Sequence, residues 1–90
     1  MDRLELPETG RVLHAGHAVV AANIWPRAPL DDPGGPVALR AMVIVGERRG
    51  EDVAEGDEIA IGDERWRVEE IVEDPANRRG QVTIMRVADG

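Results

Sequence analysis

The segment Glu58-Ile-Ala-Ile-Gly-Asp-Glu-Arg-Trp-Arg-Val68 constrains this chain more than any other, because its apolar residues alternate on both sides of a two-residue turn. Ile59 and Ile61 alternate before Gly62-Asp63, and Trp66 and Val68 alternate after it. A two-residue Gly-Asp loop between alternating runs predicts a tight β-hairpin, with Ile59 opposite Trp66 on one face. The second strand then changes parity. Ile71 falls on the wrong face unless the register shifts, and a β-bulge at Glu69-Glu70 is the simplest repair.

The rest of the chain reads as further short strands. Leu4–Leu6 forms a first strand or a loose arm, and Arg11–Ile24 forms two short strands or one bent strand around Gly16. Val37–Val45 opens with alternation and ends as a continuous apolar run, which predicts a central strand covered on both faces at one end. Val53 lies in a short strand, Gln81–Val87 is the last one, and Asp74–Gly80 predicts a single helical turn near 74–79, started by Asp74 and Pro75. About six short antiparallel strands with no amphipathic helix predict an all-β fold, a small β-barrel or roll in one domain spanning 1–90.

What is missing narrows the chemistry. The sequence has no Cys, Lys, Ser, Tyr or Phe, and its only hydroxyl side chains are Thr9 and Thr83. The usual covalent nucleophiles are absent, so the expectation is a protein that is not an enzyme and carries no cofactor. No disulfide and no thiolate metal site is available. Eleven Arg against eighteen acids leave a net charge of −7, which opposes binding to nucleic acid and to anionic membrane surfaces. The absence of a long apolar run or a basic-then-apolar leader leads to the expectation of a cytoplasmic protein.

Four groups of residues invite a functional reading. His14 and His17 could share a metal ion only if Gly16 bends the backbone or a helical turn forms, because positions three apart on a strand face opposite ways. Without thiolates the remaining ligands would be carboxylates or water, so two ordinary histidines are expected and no metal site. Asp31-Asp32 lacks the spaced ligands of a calcium loop and reads as turn chemistry. Glu69, Glu70, Glu73 and Asp74, with Arg65, Arg67, Arg78 and Arg79 nearby, read as a solvated ion-pair network rather than a catalytic acid pair.

The fourth group is the segment after Ile24. Residues 25–36 hold four prolines and two glycines, which predicts an irregular loop over 26–36. It combines an anchor-type aromatic (Trp25), a forked donor (Arg27), an apolar residue (Leu30) and two acids (Asp31 and Asp32), a mixture suited to a protein contact. These five are the candidate partner-binding residues. Small size and the rich apolar run Ala41–Val45 further predict a homo-oligomer, by default a homodimer; otherwise Leu4 and Leu6 must cover the second face. The alternative is a ligand- or metal-binding accessory protein, its site under the 26–36 loop near His14 and His17.

Gly56-Asp57, Trp66-Arg67-Val68, Asp74 and Arg86-Val87, with a Pro-containing loop after an early strand, resemble a family of short, acidic, uncharacterised actinobacterial proteins of streptomycete type. That resemblance spans roughly residues 20–88 and implies a small β-barrel without an assigned activity. Residues 53–73 also resemble small β-barrel phage head–tail joining proteins, which implies a phage-derived assembly component as a further alternative.

Overall fold

The computed structural model describes residues 2–77 and 79–87. Eight strands follow in order: β1 (Arg3–Pro7), β2 (Arg11–His14), β3 (His17–Arg27), β4 (Ala38–Val45), β5 (Glu51–Ala54), β6 (Glu58–Ile61), β7 (Glu64–Val72) and β8 (Gln81–Arg86). They form two four-stranded antiparallel sheets, ordered β1-β8-β7-β6 and β2-β3-β4-β5. The fold is all-β, as expected, with eight strands rather than about six: Leu4–Leu6 lies in a strand rather than a loose arm, and Arg11–Arg27 forms two strands rather than one bent strand.

The predicted hairpin is present. Ile59 pairs with Trp66 and Ile61 with Glu64, around a Gly62 whose φ of 62° suits the first position of a tight hairpin loop. The predicted bulge is present too: β7 steps from a Val68–Ile84 pair to a Glu70–Thr83 pair, so Glu69 and Glu70 both face solvent and Ile71 turns inward. That one extra residue brings Trp66, Val68 and Ile71 all into the core.

Leu6, Val19, Ala21, Ile24, Val43, Ile61, Trp66, Val82 and Ile84 are among the residues that fill the space between the sheets. Trp66, with no exposed surface, is its largest side chain. The sheets are joined at two corners. At one, the Thr9 amide donates to the Ala21 carbonyl at 2.7 Å. At the other, the Gly56 amide donates to the Val68 carbonyl and the Val68 amide to the Asp57 carbonyl, each at 2.8 Å. These corners make the double sheet a roll.

Three expectations need correction. Asp74–Asn77 is a plain turn, with no helix among the described residues; Asp74 Oδ1 accepts only a long 3.4 Å bond from the Asn77 amide, and Arg78 lies outside the described residues. The irregular loop is shifted: β3 continues through Trp25 and Pro26 to Arg27, so the loop covers 28–37. Pro26 lies at the strand's far end, opposite Leu39. Finally, β1 is a true strand whose Leu6 is fully buried and whose Leu4 packs on the core, so this arm covers no second face of β4.

Candidate functional site: the outer face of the second sheet

Register decides which side chains share a face, because directly paired residues of antiparallel strands point the same way. In the sheet β2-β3-β4-β5, Val19, Ala21, Ala41, Val43, Val45 and Val53 face the core. Their strand neighbours face outward: Leu13 pairs with Ala18, Val20 with Ile44, and Ala22 with Met42. The centre of this outer face is therefore apolar, flanked by Arg11, which pairs with Val20, and by Asp52, which pairs with Met42. Gly50 adds no side chain there, and a Cβ on it would meet Met42 Sδ at 2.7 Å, so Met42 lies across the gap. The outer face of the other sheet differs: it carries Arg3, Glu5, Glu58, Arg65, Arg67, Glu69 and Glu70, with ion pairs between Arg3 and Glu5, Arg65 and Glu58, and Arg67 and Glu69.

A second bulge extends the apolar face to Trp25. Between the Ala22–Met42 and Trp25–Arg40 pairs, Asn23 and Ile24 both stand opposite the single residue Ala41. Asn23 takes a φ of 53°, a left-handed conformation that Asn tolerates better than most residues. In a regular strand without the bulge Ile24 would point to solvent and Trp25 to the core. With it, Ile24 is buried and Trp25 is 47% exposed on the outer face.

Arg27 locks that arrangement. Its Nη1 donates to the Asn23 carbonyl at 2.7 Å, and its guanidinium carbon lies 5.0 Å from the centroid of the Trp25 indole. A guanidinium at this distance is attracted to the ring face and fixes the indole's position. Its Nη2 donates to Asp52 Oδ1 at 2.8 Å, while Arg40 Nε donates to Asp52 Oδ2 at 3.0 Å. The Leu30 amide also donates to Oδ2, at 3.0 Å, which fastens the 28–37 loop to β5. Burial would raise the Asp52 pKa, but the Leu30 amide and the two guanidinium groups outweigh it and hold the carboxyl below its ordinary 3.8. Asp52 is thus a fixed anion at neutral pH. Beside it, an open groove of about 730 Å³ is lined by Pro29, Leu30, Asp31, Arg40, Asp52 and Asp57, among others.

Of the five candidate residues, Trp25, Arg27 and Leu30 are brought together at this end of the sheet, and Asp31 lines the groove. Asp32 is not part of it: its amide bonds the Pro29 carbonyl and its carbonyl accepts from Gly35, which is turn chemistry. Sequence reading missed Arg40 and Asp52, the two residues that hold the site, and the outward Val20, Met42 and Ile44. Arg40 did leave a signal, being the one charge in an otherwise apolar run.

The histidines lie elsewhere. Ala15 and Gly16 both have positive φ, at 50° and 81°, and close a two-residue hairpin in which His14 and His17 are direct partners on the inner face. His14 Nε2 lies 2.8 Å from Glu64 Oε1, and its ring meets the Trp66 indole edge-on at 5.1 Å. Trp66 Nε1 donates to the same Glu64 oxygen at 3.2 Å. His14 first, with Trp66 and Arg86, holds the Glu64 carboxyl below its ordinary 4.5. His17 starts β3 and the loop follows its end, some 30 Å of strand away, so no site under the loop includes these histidines. Among the described residues no three metal-ligating side chains converge.

A family model described as a family of unknown function, DUF6406, matches residues 2–88. The chain belongs to this family. The matched span holds all eight strands of this DUF6406 chain, both bulges and the 28–37 loop, so the outer face belongs to the matched unit. Comparison with curated proteins and with solved structures gives no match. No helix among the described residues is long and apolar enough to cross a membrane.

Proposed function

We propose that this chain is a non-enzymatic interaction domain that docks a protein on the outer face of β2-β3-β4-β5, with Trp25 as the anchor. The observation that carries this reading is the Asn23 bulge. It turns a tryptophan out of the core onto a face that is already apolar, and Arg27, Asp52 and Arg40 then hold it there. Large apolar residues clustered on one face mark docking surfaces, and a rigid aromatic at low entropic cost is the commonest anchor of such contacts. The polar groups around Trp25 are engaged with one another, which suits a preorganised contact surface better than catalysis.

A photoreactive amino acid placed at Met42, and in a second protein at Glu70 on the charged sheet, tests the proposal in cells that make the protein. The expected result is one discrete cross-linked product from Met42, identifiable by mass spectrometry, and none from Glu70. Equal labelling from both positions, or none from Met42, would overturn it.

A further inference from the structure

We infer that the occupant of the apolar outer face is a second copy of this chain, packed sheet against sheet about a two-fold axis. This rests on the docking surface just proposed and assigns its partner. The first support comes from β4. Its central position and unbroken apolar run call for cover on both faces, and only Ala41, Val43 and Val45 receive it from the core. Met42 and Ile44 point outward and are only partly covered, by Gly50, and the N-terminal arm that could have completed the cover is committed to the other sheet through Leu6.

Charge is the second support. Two chains of net charge −7 repel unless they meet where acids are absent or neutralised. The outer face of the first sheet carries Glu5, Glu58, Glu69 and Glu70, and would bring like charges together. At the centre of the apolar face, among the described residues, Val20, Ala22, Met42 and Ile44 carry no charge, and the nearest carboxylate, Asp52, is held between Arg27 and Arg40. A second copy meets this uncharged centre and keeps Asp31 and Asp57, at the groove end, away from its own.

Area agrees. The strands β2, β3, β4 and β5 hold 4, 11, 8 and 4 residues, and at about 3.3 Å per residue and about 4.8 Å between strands they project roughly 430 Å² of sheet. The exposed Leu13, Trp25 and Leu30 enlarge that footprint toward the lower end of specific interfaces, about 600 Å² per partner, Val20, Ala22, Met42 and Ile44 being half-buried already. Isologous packing places Val20, Ala22, Met42 and Ile44 of one chain against the same residues of the other.

Sedimentation equilibrium of the wild-type protein tests this at about 100 µM, where mass action favours a dimer. The expected mass is twice the 9.8 kDa of one chain. Ile44→Arg and, separately, Val20→Arg raise the dissociation constant by roughly a hundredfold, since each buries unpaired charge in the pair of sheets. Their far-UV circular dichroism stays that of the wild type, because neither position is in the core. The chain has no cysteine, so Ala22→Cys gives an independent readout: oxidation yields a disulfide-linked dimer, while Glu70→Cys on the charged sheet forms no disulfide between copies. A wild-type mass of 9.8 kDa overturns the second-copy assignment; if Met42 nonetheless cross-links to a different protein, the docking surface itself stands. A dimer indifferent to both arginine substitutions, with no Ala22→Cys disulfide, overturns the assignment of this face.

Discussion

Asp52 accepts the Leu30 amide at 3.0 Å, and this bond ties a loop following the longest strand to an edge strand of the same sheet. The same carboxylate takes Arg27 and Arg40, so one residue fixes the loop, the indole clamp and the far end of the apolar face. Asp52→Ala leaves two half-buried guanidinium groups without their partner. The expected loss is about 2–4 kcal/mol in urea denaturation, with the Trp25 emission shifted at once by release of Arg27. A loss below about 0.5 kcal/mol, the range of ordinary surface substitutions, would show that the network is decorative.

The pH dependence has a definite sign. Asp52 and Glu64 both titrate below their ordinary values of 3.8 and 4.5 in the folded protein. A carboxyl whose folded pKa is depressed contributes stability that is complete above its unfolded pKa and is lost as pH falls through the folded one. Stability owed to these groups is therefore level from neutral pH to about 5 and declines below about 4. Asp52→Asn is expected to flatten that decline in a pH series of denaturation curves. An unchanged slope would show that Asp52 titrates normally.

Asn23 separates bulge chemistry from side-chain chemistry. Asn23→Gly accepts the φ of 53° without strain and is expected to leave stability within about 0.5 kcal/mol. Asn23→Val puts a β-branched residue in the left-handed region and is expected to cost about 1–3 kcal/mol. If both behave alike in thermal unfolding, the bulge does not depend on this conformation.

The two tryptophans divide the labour between stability and contact. Trp66→Ala is expected to cost about 3–5 kcal/mol, as loss of a fully buried aromatic does. Trp25→Ala is expected to cost below about 1 kcal/mol, because the ring is half exposed. Emission from the Trp25→Ala protein, which reports Trp66 alone, should be blue-shifted; a solvent-exposed spectrum would contradict the core assignment.

Ala15 stands at a φ of 50° in the β2–β3 turn, where an alanine is strained. Ala15→Gly is expected to raise stability by about 0.5–1 kcal/mol, read from the urea midpoint. A decrease would mean that the turn changes conformation in solution.

How legible this was from sequence follows from which forces were local. The Gly62-Asp63 hairpin and the Glu69-Glu70 bulge were readable because strand parity is a property of adjacent residues. The hairpin at Ala15-Gly16 was readable only in part: Gly16 marked two strands or a bend, but alanine is an uncommon residue for a positive φ, so the two-residue turn was not marked and two histidines read as diverging became partners. The Asn23 bulge hid for a different reason, since Asn does tolerate a positive φ. Ile24 and Trp25 are both apolar, and no polar residue exposed the change of parity between them. Trp25, Arg27 and Leu30 were visible as contact chemistry, but their support from Asp52 and Arg40 is a long-range pairing across three strands. The outward face of β4 was seen only as excess hydrophobicity. Register was needed to assign Met42 and Ile44 to it.

The most direct measurement of the central claim is methyl NMR with a soluble paramagnetic agent, comparing the two outer faces of one protein at high concentration. The methyls of Val20, Met42 and Ile44 are expected to be protected from relaxation as strongly as core methyls, and to become accessible on dilution. Met85, on the charged sheet, is expected to be equally accessible at every concentration. Val20, Met42 and Ile44 relaxing as fast as Met85 under all conditions would contradict that claim.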